Sequence, residues 1–290
     1  MNYLDLFQYG KTDIQRAENA FKNGDYPITG FFLQQALEKH LKAYLLKNEI
    51  VHNIKNLGHL QMPKIIDEMI ISAKKINLDP PTDYVKLSWG ALENLHELLE
   101  FIESNEVAKI AIWKESLALS LNKHESNLFQ GKFTKFLKNV DEFYEQSNVV
   151  SSDYQSAIDK IGIDKIDTSK LTEREKAGLE FLQHLPNLFS MENPEKTMEI
   201  MNKVMNNFGW GSGGKTLSRD LTQNMTKYLK LCKCMDWIDI IALTYPHQEI
   251  SRYPFQIDEK ISDEIYLEQK DNLKKMLDNV KNTCKQIEQN

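Results

Sequence analysis

Apolar residues recur at intervals of three and four along most of the chain, which is the spacing of one face of an α-helix. Near the start, this pattern predicts helices over about residues 13–22, 27–47 and 60–74. The turn Asn23-Gly24-Asp25 separates the first two, and Pro27 suits the first turn of the second. The first predicted helix carries an apolar face that consists of Ile14, Ala17, Ala20 and Phe21.

The same spacing continues beyond Pro80-Pro81, which is a strong break in the helical pattern. Further helices are predicted over about residues 84–103, 106–121, 130–147, 153–161, 172–189 and 194–208. Thr172 and Glu175 form a capping box at the start of one of them. Two last helices, about 216–244 and 262–288, are joined by the irregular loop TYPHQEISRYPFQIDEK. Because no alternating strand pattern competes with these segments, the predicted fold class is all-α.

The composition agrees with this class and limits the functions. The 290 residues are 41% hydrophobic and include only 12 glycines and 8 prolines, which favours helices around a buried core. The net charge of -6 argues against a broadly basic surface for nucleic acid, although a local basic patch is compatible with it.

Three cysteines cannot all pair, and no signal peptide or long apolar run is present, which predicts a reduced, cytoplasmic setting away from membranes. Cys232-x-Cys234 lacks the second ligand pair of a zinc site, so no metal or cofactor is predicted.

Two separated segments resemble parts of one known family. AENAFKNGDYPITGFFLQQALEKHLKAYLL, residues 17–46, resembles the first two helices of a HEPN domain, which usually read as a helix, a G-x-Y turn and a helix close to QQA-x-EK-x-LKA-x-LL. Near the other end, ISRYPFQI and the amphipathic helix after it are similar to the ARYPD segment and closing helix of archaeal and bacterial members. Gly58-His59-Leu60 is similar to the His-x-Leu that opens the third helix of the family. The resemblance implies an antiparallel helical bundle that forms homodimers.

The distance between these segments predicts a divided domain. We expect residues 1–78 and 216–290 to pack into one discontinuous HEPN-like domain, with residues 79–215 as a helical insertion. Insertion into an exposed loop is tolerated because a longer loop adds little closure entropy.

Catalytic HEPN proteins are metal-independent ribonucleases with an R-x(4-6)-H motif. The chain lacks this motif, since no arginine has a histidine five to seven positions downstream; the arginines are Arg16, Arg174, Arg219 and Arg252. The prediction is therefore a non-catalytic protein. A divergent ribonuclease that pairs Arg252 with His247 or His59 is the enzymatic alternative, because a fold can bring distant residues together.

The resemblance implies a binding surface for nucleotide or RNA phosphate. Its candidate residues are Lys39 and Lys42 on the second helix, beside Gln35 and Glu38, together with Arg252 and Tyr253 in the loop before the last helix. The cations would hold phosphate groups and the tyrosine would stack on a base. In the structural alternative, Glu38 and Lys42 form an ordinary i,i+4 ion pair, and the Arg-Tyr-Pro turn ties the loop down. His40 is expected to pack beside the apolar stripe of the second helix, whereas His52 and His59 flank a loop.

The stretch GWGSGGKT, residues 209–216, matches the phosphate-loop pattern G-x-x-x-x-G-K-[ST]. A phosphate loop requires a buried strand before it, but the preceding apolar residues have helical spacing; they are Met198, Met201, Val204, Met205 and Phe208. An NTPase site is therefore not predicted. Gly213, Gly214 and Lys215 at a helix N-terminus form a candidate anion nest or a hinge between two helices.

Three function hypotheses follow. The first is a non-catalytic HEPN-like protein that binds nucleotide or RNA phosphate, in a toxin-antitoxin or defence system with a small nucleotidyltransferase as partner. The second is the divergent ribonuclease. The third is a helical scaffold whose insertion recruits another protein.

Overall fold

The computed structural model describes residues 2–51, 62–75, 83–118, 167–172, 233–251, 256–257 and 260–290, with scattered positions between residues 156 and 231. The helices predicted over 130–147 and 194–208 lie outside the described residues. In the segments that are described, the structure is helical apart from turns and one pair of two-residue strands. The predicted all-α class is confirmed.

Helices α1 (Tyr3–Lys22) and α2 (Tyr26–Lys47) form an antiparallel hairpin. The first helix begins about ten residues earlier than predicted because Asn2 caps it: its side chain accepts from the Asp5 amide, and the Asp5 carboxylate accepts from the Asn2 amide. Asp25 caps the second helix by accepting from the Ile28 amide at 3.4 Å, and Pro27 lies in its first turn. The predicted bounds of the second helix are confirmed.

The other elements follow in chain order. Helices α3, α4 and α5 span Met62–Lys75, Asp83–Ser104 and Glu106–Ala118. Short 3-10 helices lie at Thr168–Lys170 and Cys234–Trp237. Helices α6 and α7 span Ile238–Thr244 and His247–Ile250. Strands β1 (Gln256–Ile257) and β2 (Lys260–Ile261) pair antiparallel, with Gln256 opposite Ile261. Helices α8 (Ser262–Glu268) and α9 (Lys270–Gln289) complete the chain.

The C-terminal region corrects two predictions. The loop predicted as irregular contains α7 and the strand pair; α7 follows directly on Pro246, whose carbonyl accepts from the Ile250 amide at 3.2 Å. The helix predicted over 262–288 divides at Gln269, where the backbone leaves the helical region (φ -99°, ψ 19°). Helical periodicity does not detect such a one-residue break, because the apolar face continues across it.

Helix α2 is the centre of the described core. It contacts α1, α6, α7, α8 and α9, and its buried residues lie on nearly all sides. Leu33, Leu37, Leu41 and Leu45 are fully buried. Each such leucine contributes roughly 1.5–3 kcal/mol through the hydrophobic effect. The helix was predicted from its regular spacing, but burial on all sides comes from the number of its neighbours.

The capping box predicted at residue 172 is confirmed. The Glu175 amide donates to Thr172 Oγ1 at 3.3 Å, and the Thr172 amide donates to Glu175 Oε2 at 2.8 Å. In α3, the apolar residues Ile65, Ile66 and Met69 are buried.

The chain divides into two compact units. The first comprises residues 1–72, 91–138 and 235–290, and the second comprises residues 73–90 and 139–234. In this division the described residues 91–118 group with the two chain ends. The reason is that α5 packs against α6, α7 and α9 and buries Trp113 completely. The division into a discontinuous domain of residues 1–78 and 216–290, with an insertion over 79–215, stays a prediction.

Where the structure describes the chain, none of its helices combines the length and apolar character needed to cross a membrane. Cys234 and Cys284 are buried free thiols.

Gly10 allows α1 to approach α2 closely at His40. A Cβ atom at residue 10 would lie 2.4 Å from Nδ1 of the buried His40, inside van der Waals contact. We expect Gly10→Ala to lower the free energy of unfolding by about 1–3 kcal/mol, measured by urea denaturation, although alanine is the better helix former. In a His40→Ala background the same change should cost little, because the clashing ring is gone. An equal cost in both backgrounds would contradict this explanation.

Candidate functional site

The structure places two of the predicted site residues and leaves the others undescribed. Lys39 and Lys42 lie on α2. The other candidates, Arg252, Tyr253, Gly213, Gly214 and Lys215, lie outside the described residues, as do His52 and His59.

Lys42 is part of a buried ion pair on α2. Its Nζ donates to Glu38 Oε1 at 2.5 Å, and Gln34 Nε2 donates to Glu38 Oε2 at 3.4 Å. The Lys42 side chain is 5% exposed and that of Glu38 is 11% exposed. The i,i+4 ion pair is therefore confirmed, and Lys42 lies in the interior, where it neutralises Glu38.

Lys39 points to a different partner. Its Nζ donates to Asp13 Oδ2, and Arg16 Nη1 donates to Asp13 Oδ1 at 3.1 Å. The Asp13 side chain is only 2% exposed, whereas that of Lys39 is 27% exposed and that of Arg16 is 57% exposed. Lys39 and Lys42, three residues apart, thus contact different carboxylates.

A buried polar chain joins α5, α7 and α8; we call it the His247 chain, and it consists of Ser116, His247, Tyr266 and Ser251. His247 Nε2 lies 2.8 Å from Ser116 Oγ, and His247 Nδ1 lies 2.6 Å from the Tyr266 hydroxyl. The Tyr266 hydroxyl lies 2.8 Å from Ser251 Oγ. All four residues are buried, and His247 and Tyr266 are completely so.

The direction of each hydrogen bond in the His247 chain follows from the bond that Ser116 makes at one end of the chain. Ser116 Oγ donates to the Trp113 carbonyl at 2.7 Å, so the same oxygen accepts from His247 Nε2. His247 Nδ1 then lacks a proton and accepts from the Tyr266 hydroxyl. The Tyr266 oxygen in turn accepts from Ser251 Oγ. The ring is neutral, with its proton on Nε2.

Burial keeps the chain in these protonation states. It lowers the pKa of His247 to about 3 and raises the pKa of Tyr266 above its usual value. Near neutral pH the imidazole therefore carries no charge. With both ring nitrogens bonded and no exposed surface, His247 cannot serve as the general base of the divergent-ribonuclease hypothesis in this arrangement.

Gly30 on α2 makes room for the His247 chain. A Cβ atom there would lie 2.7 Å from His247 Nδ1, 3.0 Å from the Tyr266 hydroxyl and 3.2 Å from Ser251 Oγ. Ser251 is the residue immediately before Arg252 in the sequence. The His247 chain therefore holds Ser251 beside the first half of α2.

Side chains of α4 and α5 contact α7 and Tyr245, the residue that ends α6. Lys109 Nζ donates to Glu249 Oε2, and the Tyr245 hydroxyl donates to Glu103 Oε1. Burial, the bond to Glu103 and the nearby charges of Glu249 and Glu38 together raise the pKa of Tyr245 far above its usual value. Tyr245 is thus a permanent hydrogen-bond donor. Among the described residues, no cluster of histidine, cysteine and carboxylate side chains could hold a metal ion.

Sequence reasoning missed Ser116 and Tyr266. They lie 131 and 19 residues from His247, so no local motif connects the three side chains. His40, by contrast, was expected to be packed, and it is: it is 1% exposed and its Nδ1 donates to the Ala36 carbonyl at 2.8 Å.

Tyr266→Phe tests the His247 chain. Loss of the hydroxyl leaves His247 Nδ1 and Ser251 Oγ buried without their shared partner, which should lower the free energy of unfolding by about 1–3 kcal/mol. Tyr9→Phe is the matched control, since Tyr9 is 51% exposed and should change stability by less than about 0.5 kcal/mol. Equal urea-denaturation midpoints for the two variants would refute the role assigned to the hydroxyl.

The low pKa of His247 predicts a pH dependence. Between about pH 6.5 and 3 the unfolded chain binds a proton at residue 247 that the folded protein does not, so stability falls as pH falls, by at most about 1.4 kcal/mol per pH unit. His247→Gln removes this contribution and should flatten the dependence between about pH 7 and 5 in urea denaturation. Burial also lowers the pKa of His40. Because His40 is present in both proteins, its contribution to the pH dependence is the same in both. Parallel pH profiles would show that His247 titrates normally.

The comparison with known families matches the part of the chain that contains the α1–α2 hairpin. The family model of the HEPN domain matches residues 3–77, a segment that includes α1, α2 and α3. No curated protein and no solved structure matches the chain significantly. The match includes Lys39, Lys42 and Gly30 and ends before α4. The match therefore shows a HEPN-like segment over residues 3–77 of an all-α chain.

Proposed function

We propose that this HEPN-like protein binds the phosphate of a nucleotide or RNA without cleaving it, through Arg252 and Tyr253. The supporting observation is the anchoring of Ser251. Its hydroxyl bonds to Tyr266 and lies beside Gly30 of α2, so the residue before Arg252 has a defined place in the core. A cation that starts from a fixed backbone position loses less conformational entropy when it binds an anion.

The chemistry of the surroundings favours binding over cleavage. Arg252 carries a permanent positive charge and presents the planar fork of donors that suits phosphate. His247, the histidine nearest to it in sequence, is buried and has both ring nitrogens bonded. Cleavage of RNA without a metal needs a base that can reach the ribose hydroxyl, and neither His247 in this arrangement nor an R-x(4-6)-H motif supplies one.

The proposal changes the predicted contribution of α2. Lys42 neutralises Glu38 in the interior, so the proposal does not rely on Lys42 to bind phosphate. Lys39 faces Asp13 on the α1 side of the hairpin. In the proposed function, α2 lies beside Ser251 at Gly30 and does not provide the charge that binds phosphate at Arg252.

The biological setting is proposed from the family resemblance. Members of the family form homodimers and recur beside a small nucleotidyltransferase in toxin-antitoxin or defence systems. We infer the same setting and partner for this chain.

Nucleotide-dependent melting tests the site. We expect ATP, GTP or a short single-stranded RNA at about one hundred times its dissociation constant to stabilise the protein by about 2.7 kcal/mol, which corresponds to a rise of several degrees in melting temperature. Arg252→Ala should abolish the rise, whereas Lys285→Ala, which removes an exposed lysine of α9, should preserve it. Lys215→Ala tests the glycine-rich nest in parallel.

Two outcomes would contradict the proposal. Cleavage of RNA in EDTA that disappears in Arg252→Ala would favour the divergent ribonuclease. Unchanged melting of the wild type with every nucleotide and RNA would leave the interaction scaffold as the better hypothesis.

A further inference from the structure

We propose that one edge of the α1–α2 hairpin binds single-stranded RNA. The edge consists of Tyr9, Arg16, Phe32 and Lys39, with Asp13 beneath them, and we call it the Arg16 edge. It shares only its class of ligand with the function proposed above, since Arg252 and Tyr253 take no part in it.

The Arg16 edge follows from the register of the hairpin. Tyr9, Asp13 and Arg16 stand at i, i+4 and i+7 on α1, so they follow one line along that helix. Phe32 and Lys39 stand seven residues apart on α2 and contact Arg16 and Asp13 respectively. Because the helices are antiparallel, the order along the edge is Arg16 with Phe32, then Asp13 with Lys39, then Tyr9. Seven residues of helix extend over about 10 Å.

The Asp13 carboxylate orients two cations but neutralises the charge of only one. Its buried carboxylate accepts from Arg16 Nη1 at 3.1 Å and from Lys39 Nζ. Two positive charges and one negative charge leave the cluster with one net positive charge. The Arg16 side chain is 57% exposed although one of its nitrogens is held by Asp13. Arg16 is therefore both oriented and accessible, which suits a phosphate group.

Aromatic side chains accompany these cations. The Arg16 guanidinium carbon lies 5.6 Å from the centre of the Phe32 ring, so the guanidinium is held against an aromatic surface. Tyr9 is 51% exposed at the other end of the edge. Bases of single-stranded RNA stack on aromatic rings and on guanidinium planes, while cations beside them hold the phosphates. An exposed tyrosine next to a net positive cluster matches that chemistry.

The experiment measures the binding of a fluorescein-labelled, single-stranded RNA of about twelve nucleotides by fluorescence anisotropy at several salt concentrations. We expect Arg16→Ala and Tyr9→Ala each to weaken binding about fivefold or more, from the loss of a phosphate contact and of a stacked base. Arg16→Ala should also reduce the slope of log affinity against log salt by about 0.7, because one phosphate contact is lost. Tyr9→Ala should leave that slope unchanged.

Lys11→Ala is the matched control. Lys11 is a half-exposed cation of the same helix that pairs with Glu288 and lies off the Arg16 edge, so its loss should change affinity less than twofold. Thermal melting of each variant confirms that the hairpin is folded. Arg16 is mostly exposed and Lys39 remains on Asp13, so Arg16→Ala should fold normally.

The outcomes separate the two proposals. If Arg16→Ala binds RNA like Lys11→Ala while Arg252→Ala loses binding, the Arg16 edge is refuted and the function proposed for Arg252 stands. If Arg16→Ala loses binding and Arg252→Ala does not, the reverse holds. Wild-type protein that binds no RNA refutes the Arg16 edge, and nucleotide-dependent melting then decides the Arg252 site alone.

Discussion

The burial of α2 on nearly all sides is the constraint on which the described core depends. A helix surrounded by α1, α6, α7, α8 and α9 has little contact with water, so each polar side chain on it needs a partner within the protein. Lys42 and Gln34 bond to Glu38, and His40 bonds to the Ala36 carbonyl. Charges and amides that would serve as binding groups on an exposed helix are thereby used inside the protein.

The two glycines at close contacts show how this core accommodates its histidines. Gly10 of α1 faces the ring of His40, and Gly30 of α2 faces the ring of His247. In both places the missing side chain leaves room for an imidazole that is neutral because it is buried. These histidines connect helices, and the chemistry expected from their residue type is suppressed by their surroundings.

The His247 chain also joins α7 and α8 to α5 and α2. Ser116 lies on α5 and bonds to His247 of α7, and His247 and Tyr266 of α8 lie beside Gly30 of α2. Each buried donor and acceptor in the chain is satisfied only when these helices are together, so the hydrogen bonds favour one arrangement over looser packings. The same bonds hold Ser251, the residue that precedes Arg252 in the sequence.

Part of this organisation could be read from local sequence. The bounds of α2, the ion pair of Glu38 and Lys42, and the capping box at Thr172 depend on residues within four positions of one another. The start of α1 was missed because it depends on a cap at Asn2 ahead of the clear apolar repeat, and the break at Gln269 was missed because the apolar face continues across it. The position of α5 among the C-terminal helices was also missed, because nothing near Trp113 in sequence indicates what covers it.

By itself, the sequence determined the helical class, the hairpin of α1 and α2 and the resemblance to HEPN domains, because spacing and caps act over one or two turns of a helix. Only the tertiary structure decided which polar residues are accessible. It placed Lys42 in the interior, Lys39 and Arg16 together on Asp13, and His247 between Ser116 and Tyr266. The physical reason is that the charge and accessibility of a side chain depend on neighbours that are distant in sequence, and burial among them sets both.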